Sequence, residues 1–391
     1  MGEKFTIPIG PQHPALKEPG HFEITVDGEI VTGATVRLGY AHRGIEKATE
    51  ARNWTQDIYL LERICGICSH IHALAYCLGV EQLAGVTAPP RAQAIRVLVA
   101  EMERIHSHFL WLGVAAHEAG FDTLFMYSWR DREAIMEALE TLTGNRVNYS
   151  ANVLGGVKCD VTPEIADAIR RAVDQLEPRT QHYLEVITTD EMWMQRSRGV
   201  GVVTAEQARQ FGLMGPTARG SGVVQDIRVV APYAAYREFP IQPAVETAGD
   251  LQARFVVRLK ELFESYRVIR AILDHLPEGD LQARVPRRIK AGETISRVEA
   301  PRGELFYFIR SGGTDTPDRV KVRTPTLSNL ASVLALVIGH PLADVPMILV
   351  GIDPCFSCND RAITLIDHDG ERRWSWATLR QYGIDYYRRG R

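Results

Sequence analysis

Hydrophobic positions along much of the chain repeat at the spacing of a helix. Residues 91–117 carry large apolar side chains every three or four positions, which places them on one helical face. These side chains are Ile95, Leu98, Met102, Ile105, Phe109 and Leu112. Similar patterns predict helices at 53–64, 69–84, 130–143, 163–189, 248–275 and 326–338. The chain is therefore predicted to be mainly helical.

Two segments instead alternate apolar and polar residues, as strands do. Residues 22–38 alternate on both sides of Asp27-Gly28, which predicts a β-hairpin, and short strands are predicted around 294–311. Residues 196–246 are rich in glycine, which predicts loops. No repeat or linker divides the chain, so we expect a single domain spanning 1–391. Its expected fold class is mainly α with small β elements (α+β).

The composition excludes several classes of function. Lys and Arg number 45 against 48 for Asp and Glu, so the net charge of -3 provides no basic surface for nucleic acid. The most apolar stretch, 330–352, is interrupted by His340, Pro341 and Asp344, and the first residues carry no apolar signal core. We therefore expect a cytoplasmic protein that reaches a membrane through partner proteins.

Candidate chemistry lies in two Cys-x-x-Cys pairs near opposite ends of the chain. Cys65 and Cys68 form the first pair, and Cys355 and Cys358 form the second. A zinc ribbon takes both of its pairs from one short segment, whereas here residues 69–354 lie between them. The two ends of the fold must therefore meet if the four thiols are to build one buried site.

The residues around the first pair favour the thiolate form that binds metal. Gly66 allows a tight turn between the thiols, and Ser69 is predicted to cap the helix that follows. Amides at the start of that helix, together with Arg63, are expected to stabilise thiolates at Cys65 and Cys68. Four thiolates suit zinc, iron or nickel, so a structural zinc site and an iron–sulfur cluster both remain open at this point.

The cysteine pairs and their neighbours resemble a known family. Arg63-x-Cys65-Gly-x-Cys68-x3-His72, taken with Asp353-Pro-Cys355-x-x-Cys358, resembles the cysteine motifs of the large subunit of [NiFe]-hydrogenases. Two further segments resemble other motifs of that family. They are Arg43-Gly44-Ile45-Glu46 and Ala300-Pro301-Arg302-Gly303. The resemblance extends over nearly the whole chain and implies the [NiFe]-hydrogenase large-subunit fold around a central helix bundle.

A second set of motifs resembles the 49-kDa quinone-module subunit of respiratory complex I. They are Gly10-Pro11-Gln12-His13-Pro14, His42-Arg43-Gly44-Ile45-Glu46-Lys47 and Gly212-x-x-Gly215-Pro216-x-x-Arg219-x-Ser221-Gly222. A chain with both sets resembles the large, catalytic subunit of a membrane-bound, energy-converting (group 4) [NiFe]-hydrogenase. The complex I homologue lacks the cysteine pairs. A quinone-module protein without H2 chemistry is therefore the rival interpretation, beside the structural zinc protein.

The resemblance implies a Ni–Fe centre whose iron carries CO and two cyanides. Cys65 and Cys355 would be terminal ligands of nickel, and Cys68 and Cys358 would bridge nickel and iron. Glu18 matches the glutamate that passes protons to and from a nickel-bound thiolate. The implied reaction is reversible: 2H+ + 2e- ⇌ H2.

The resemblance also assigns residues around the metals. Arg302 is expected to place its guanidinium over the open metal face, oriented by a bidentate pair with Asp353. His72 is expected to donate a hydrogen bond toward a bridging cysteine. Glu46 matches a ligand of a separate Mg or Fe ion, although Arg361 stands where the family has the histidine ligand of that ion.

Partner subunits follow from the same resemblance. Electrons are expected from a small subunit that holds a [4Fe–4S] cluster, supplied by ferredoxin or a ferredoxin-like subunit and used for H2 evolution. Antiporter-like membrane subunits are expected to couple the reaction to ion pumping. They would hold this chain on the cytoplasmic face of the cell membrane.

Residues 362–391 follow the point at which related enzymes are cleaved after metal insertion. Their pattern predicts a hairpin on both sides of Asp369-Gly370 and a short helix capped by Ser375 that ends near Gly383. We therefore expect this tail to be structured in at least one stage, whether it is retained or removed.

Overall fold

An antiparallel sheet forms the amino-terminal end of the fold. Its strands are β1 (Lys4–Ile9), β2 (His21–Asp27) and β3 (Ile30–Arg37). The middle strand is β2, whose alternate residues Phe22, Ile24 and Val26 are buried. The hairpin predicted around Asp27-Gly28 is confirmed, and β1 is an additional strand that the pattern did not predict.

The computed structural model describes residues 4–359, 365–367, 370–372 and 376–389. Helices and one short hairpin follow the first sheet. They are α1 (Ile45–Thr49), α2 (Trp54–Glu62), α3 (Ser69–Ala84), α4 (Pro90–Ala119), α5 (Asp122–Thr143), β4 (Asn152–Val153), β5 (Gly156–Val157) and α6 (Pro163–Thr189). Each helix predicted in this part of the chain is confirmed, and α5 begins eight residues earlier than the predicted start at residue 130.

Short helices interrupt the glycine-rich segment, which was predicted as loops, and a long helix follows it. These are α7 (Glu191–Ser197), α8 (Ala205–Gln210), α9 (Gly215–Arg219), α10 (Ile227–Val230) and α11 (Leu251–Asp274). The helices α7 and α8 begin at the side-chain caps Asp190 and Thr204, each of which accepts a hydrogen bond from an amide of the first turn.

The four long helices form the expected central bundle. Helix α4 packs against α5 and α11, and α6 packs against the same two helices. Phe109 of α4 meets Tyr183 of α6 edge to face, with ring centroids 6.0 Å apart, and both side chains are fully buried. Among the described helices, none combines the length and the apolar character needed to cross a membrane.

A second antiparallel sheet covers α3. Its strands are β6 (Gly292–Ala300), β7 (Gly303–Ser311) and β8 (Pro317–Arg323), with β7 in the middle. Helix α3 packs on β6 and β7, so Leu74, Tyr76, Val298 and Tyr307 share one apolar core. The four paired cysteines belong to this core rather than to the interior of the bundle.

The carboxyl-terminal part returns to the metal-site region. It comprises α12 (Pro325–Leu336), a 3-10 turn (Leu342–Asp344), α13 (Val345–Gly351), α14 (Phe356–Asn359), β9 (Leu365–Asp367), β10 (Gly370–Arg372) and α15 (Trp376–Arg389). The predicted tail hairpin is confirmed, since β9 pairs antiparallel with β10. The prediction that the last helix ends near Gly383 is wrong: a single glycine costs a helix only about 1 kcal/mol, and α15 continues to Arg389.

The glycine motif at the start of α9 packs directly on the turn that carries Arg302. Gly215 has a φ of 64°, and a Cβ atom placed on it would lie 2.4 Å from the carbonyl oxygen of Arg302. Gly212 has a similar φ of 65°, but no atom would lie within 4 Å of its Cβ. Two glycines with the same backbone conformation therefore differ in how closely another segment approaches them.

Replacing Gly215 with alanine should destabilise the protein more than replacing Gly212. Both variants incur the cost of a left-handed conformation, about 1 kcal/mol, but only Gly215→Ala also collides with the Arg302 turn. The collision should add about 2 kcal/mol to the loss of unfolding free energy. Urea denaturation of the two variants measures the difference, and equal losses would contradict the close approach.

Candidate metal centre

The first cysteine pair lies in the loop between α2 and α3. Cys68 is the N-cap of α3, and the prediction that Ser69 caps this helix is wrong. Ser69 is the first helical residue, and its hydroxyl donates to a backbone carbonyl outside the helix. The buried carboxylate of Glu103, on α4, instead accepts from the amides of His70 (2.7 Å) and Ile71 (3.2 Å). The bundle thereby fixes the start of α3 and the loop before it.

The second cysteine pair lies between α13 and α14. Asp353 ends the preceding turn with a φ of 53°, a left-handed conformation that costs a non-glycine residue about 1 kcal/mol or more. The amide of Cys355 then donates to the hydroxyl of Thr326 at the start of α12 (3.1 Å). Contacts from outside the loop therefore hold a backbone that its own sequence does not favour.

The four paired thiols converge in the interior. The Sγ atoms of Cys65 and Cys355 lie 3.6 Å apart, as do those of Cys68 and Cys358, and the Sγ atoms of Cys355 and Cys358 lie 3.0 Å apart. Sulfurs bound tetrahedrally at 2.3 Å from one metal lie roughly 3.8 Å from each other. All four side chains are buried, so the donor set fits one or two thiophilic metal ions with little movement.

Arg43 connects the two cysteine loops. Its guanidinium donates to the carbonyls of Arg63 (2.8 Å) and Ile64 (2.7 Å), just before the first pair, and to the carbonyl of Ser357 (3.3 Å), inside the second. A planar guanidinium with five N–H donors suits this task, because it can serve several carbonyls in fixed directions. Arg43 therefore joins two loops from opposite ends of the chain.

The electrostatics favour a thiolate at Cys65. Hydrogen bonds from the neighbouring thiols, that of Cys355 first, lower the pKa of Cys65 well below its usual range, and Arg302 contributes. The amides of Ile67 and Cys68 also donate to its sulfur at 3.2 and 3.3 Å. The expected help from loop amides is thus confirmed, but the cation predicted as Arg63 is wrong. The Arg63 side chain is 55% exposed and donates to a carbonyl of its own helix.

Glu18 reaches the site from the segment between β1 and β2. Its Oε1 lies 3.8 Å from the Sγ of Cys355 and accepts from the hydroxyl of Ser357 (2.5 Å). Its Oε2 accepts from the amides of Phe356 and Ser357. Burial, followed by the negative charge of Cys355, raises the pKa of Glu18 to about 7. A carboxyl group that both binds and releases protons near neutral pH therefore touches a terminal-type cysteine.

Arg302 and Asp353 form a buried ion pair beside the thiols. Arg302 NH2 donates to Asp353 Oδ1 at 2.8 Å, and its Nε donates to the Asp353 carbonyl at 3.0 Å. The predicted pairing is found, but the bidentate geometry is wrong because the second bond goes to the backbone. Arg302 NH1 donates to Ser107 Oγ at 3.2 Å. Burial would lower the pKa of Arg302, but Asp353 and the cysteines raise it well above its usual range, so this cation is permanent.

His72, on the first turn of α3, lies between a cysteine and the second sheet. Its Nε2 is 3.5 Å from the Sγ of Cys358, and its Nδ1 is 2.7 Å from the hydroxyl of Tyr307 on β7. The geometry allows the predicted hydrogen bond to Cys358, with Tyr307 holding the other side of the ring.

Glu46 lies beside the site but not in it. Its Oε1 accepts from the amide of Val322 at 2.8 Å, and it lines a cavity of about 190 Å³ together with Arg43, Arg319 and Cys358. Within the described residues, Glu46 does not join two other metal-binding side chains. Arg361 lies outside the described residues, so the separate Mg or Fe site stays a prediction.

Several residues at the site were not predicted from the sequence. They are Arg43, Glu103, Ser107, Thr326 and Ser357. A signal existed for Arg43, which lies in a motif used for the family resemblance, and for Glu103, a charge within an otherwise apolar helical pattern. For Ser107 and Thr326 the sequence offers none, because their partners lie 195 and 29 residues away.

A helical bundle that buries four thiols beside a carboxyl and a guanidinium belongs to a recognised class. The model of the nickel-dependent hydrogenase family matches residues 43–114. The model of the 49-kDa subunit of respiratory-chain NADH dehydrogenase matches residues 118–291 and 284–361. The chain belongs to the family that unites these hydrogenase large subunits with the 49-kDa subunit.

Curated relatives fall on both sides of that family. The carbon monoxide-induced hydrogenase of Rhodospirillum rubrum is 40% identical over 91% of this chain and 99% of its own length. The alpha subunit of the membrane-bound hydrogenase of Pyrococcus furiosus is 41% identical over 91% of this chain and 87% of its own. On the other side, one component of the NADH-quinone oxidoreductase of Dehalococcoides mccartyi is 38% identical over 90% of this chain and 96% of its own.

A solved structure confirms the fold class. A chain of the membrane-bound sulfane sulfur reductase, an archaeal respiratory membrane complex, superimposes with a TM-score of 0.88 at 31% identity. The match covers 92% of this chain and 99% of that one. The predicted mainly α fold with small β elements is therefore confirmed.

Replacing Glu18 with glutamine should change how the stability of the metal-free protein depends on pH. The folded-state pKa of about 7 exceeds the ordinary value of 4.5, so the folded protein keeps a proton that the unfolded chain has released. Glu18 thus contributes stability that is fully present below pH 4.5 and is lost as the pH rises to 7. Over this interval the wild type should lose about 3 kcal/mol relative to Glu18→Gln in urea denaturation. Parallel pH profiles of the two proteins would contradict the raised pKa.

Proposed function

We propose that this chain is the catalytic subunit of a membrane-associated [NiFe]-hydrogenase that catalyses 2H+ + 2e- ⇌ H2. One observation carries the proposal: four buried thiols converge beside a carboxyl group with a pKa of about 7 and beside a permanently charged guanidinium. We propose that Cys65 and Cys355 are the terminal ligands of nickel. Cys68 and Cys358 then bridge nickel to an iron that carries CO and two cyanides.

A structural zinc site explains the thiols but not the groups around them. Four thiolates alone complete a closed zinc site, which needs neither a proton carrier nor a cation. Burying the Arg302–Asp353 pair is costly, because two ions leave water. Glu18 is held at 3.8 Å from a ligand sulfur by three donors, which is the arrangement of a working acid and base.

The metal pair, when bound, supplies the open position at which H2 is split or formed. Glu18 holds a proton next to the Sγ of Cys355 and exchanges it with that sulfur. A pKa of about 7 suits transfer in both directions at the pH of a cell. A cavity of about 70 Å³ lies against Glu18, Arg302 and Asp353 and is lined mainly by apolar side chains such as Leu16 and Val114. This cavity keeps bulk water away from the proton-transfer step.

Arg302 provides a fixed positive charge over the thiols. Its side chain is 4% exposed and is held by Asp353 and Ser107, so the guanidinium does not need to reorient during the reaction. It stabilises negative charge that develops when H2 is divided into a proton and a hydride. His72 tunes the sulfur of Cys358 through its Nε2 atom.

The quinone-module function is the second candidate, and the match to the 49-kDa subunit favours it. That function requires no thiols, whereas here all four paired cysteines are buried within bonding reach of a shared metal. The hydrogenase proposal accounts for these residues and the quinone proposal does not.

Electrons must reach the site from another subunit. Cys77 and Cys159 are the remaining cysteines, and neither joins a metal-binding group in the described part of the chain. We propose a small subunit with a [4Fe–4S] cluster, reduced by ferredoxin or a ferredoxin-like subunit, with H2 evolution as the working direction. Antiporter-like membrane subunits would anchor the complex on the cytoplasmic face of the cell membrane, and Glu46 would bind a separate Mg or Fe ion.

Replacing Cys355 with serine should abolish nickel binding and H2 evolution together, since serine does not supply the soft thiolate ligand. Nickel content and H2 evolution from a reduced low-potential donor measure the effect in the purified complex. Cys77→Ala is the matched control, because Cys77 is equally buried but outside the site, and it should keep both. Zinc without nickel in the wild type, or full activity in Cys355→Ser, would contradict the proposal.

Replacing Arg302 with lysine should lower kcat about 100-fold while the nickel content stays the same. An ammonium carries the charge but cannot bond simultaneously to Asp353 Oδ1, the Asp353 carbonyl and Ser107 as the planar guanidinium does. Turnover per bound nickel at saturating donor measures the loss. Wild-type turnover in this variant would remove Arg302 from the reaction.

A further inference from the structure

A second arginine lies behind the Arg302–Asp353 pair. Arg258 of α11 is 1% exposed, and its guanidinium carbon stands 4.0 Å from the ring centroid of Trp111. Its NH1 donates to the carbonyl of Arg254 at 3.1 Å. Its Nε and NH2 have no hydrogen-bond partner among the described residues. A buried cation with two unused donors calls for an acceptor.

Asp353 offers the matching acceptor. Arg302 occupies Oδ1, and Oδ2 is buried without a partner in the described part of the protein. Among charged groups, Asp353 has the largest electrostatic effect on Arg258, ahead of Glu261. On Asp353, in turn, Arg258 ranks directly after Arg302. The two arginines therefore act on one carboxylate, and a single water between Arg258 and Oδ2 would satisfy all three unused atoms.

Trp111 ties this arginine to the same loop. The indole Nε1 donates to the carbonyl of Val350 at 2.7 Å, three residues before Asp353. The indole ring thus holds Arg258 by a cation–π contact and holds the loop by a hydrogen bond. Arg258 and the turn at Asp353 consequently have a common support on α4.

We propose that Arg258 is a positioning residue for the H2 chemistry, which fixes the plane of the Asp353 carboxylate through Oδ2 and thereby fixes the guanidinium of Arg302 over the metals. The inference rests on the proposed hydrogenase function. A carboxylate held at one oxygen can rotate, whereas one held at both cannot. With two arginines and one aspartate, the group also keeps a net positive charge beside a thiolate-rich centre.

The chain contains a matched control for this proposal. Arg254 lies one turn earlier on α11, is also fully buried, and has a pKa lowered by burial to about 10, as Arg258 has. Both are therefore charged at neutral pH. Arg254 instead donates to the carbonyls of Gly201 and Gly249, and the carboxylate that acts on it is Asp250.

The test compares Arg258→Met with Arg254→Met in the purified, nickel-loaded complex. Wild type must first show H2 turnover and infrared bands of iron-bound CO and cyanide; without them the proposed function itself fails. Arg258→Met should then lower kcat per bound nickel roughly 10- to 100-fold and shift the CO band. Arg254→Met should keep both values. Identical kcat and band position in the two variants would overturn the positioning role.

A double-mutant comparison adds a readout that does not depend on turnover. In urea denaturation of the metal-free protein, Arg258→Met and Asp353→Asn should be non-additive, because each removes the same interaction. Additive losses would overturn the proposal. If Arg258→Met fails to fold, Arg258→Lys replaces it. Lysine keeps the charge but loses the two adjacent donors, so kcat should still fall and the CO band should still shift. Wild-type values of both in Arg258→Lys would overturn it.

Discussion

The meeting of two cysteine loops from opposite ends of the chain is the constraint on which the rest of the site depends. Their sulfurs approach to 3.0–3.6 Å although 290 residues separate Cys65 from Cys355. Loop closure over such a distance is entropically costly, so the loops need several anchors. Glu103 fixes the first loop from the bundle, Thr326 fixes the second, and Arg43 bonds to both. The thiols therefore occupy a metal-sized arrangement held by hydrogen bonds outside the metal ligands.

A buried set of charges extends this support to the other side of the site. Arg219, from the glycine-rich motif, binds Glu261 at 2.6 Å and Glu299 at 2.8 Å, and Glu299 lies three residues before Arg302. Removing one member of a buried ion pair costs about 3–5 kcal/mol, which makes such groups strong determinants of local geometry. The motif shared with the 49-kDa subunit thus has a structural role that does not depend on the chemistry performed. This explains how one scaffold serves members with and without thiols.

Much of the fold could be predicted because it is written in local patterns. The helices at α3, α4, α6 and α11 follow from apolar spacing and from caps such as Thr162, and the cysteine pairs follow from their own spacing. The capping of α3 could not be predicted, since Glu103 competes with Ser69 only once α4 is packed beside it. For the same reason the carbonyl of Asp353, rather than its second carboxylate oxygen, takes the Nε of Arg302. Long-range polar partners leave no periodic trace in a sequence.

An infrared spectrum of the purified, nickel-loaded complex tests the central claim most directly, because the iron of an assembled Ni–Fe centre carries ligands that no zinc or quinone site has. The account predicts one band from iron-bound CO and two from cyanide, at one nickel per chain. These bands should disappear when any of the four paired cysteines is replaced. A protein with zinc and no nickel, or a metal-free protein that supports quinone reduction and shows none of these bands, would contradict the account.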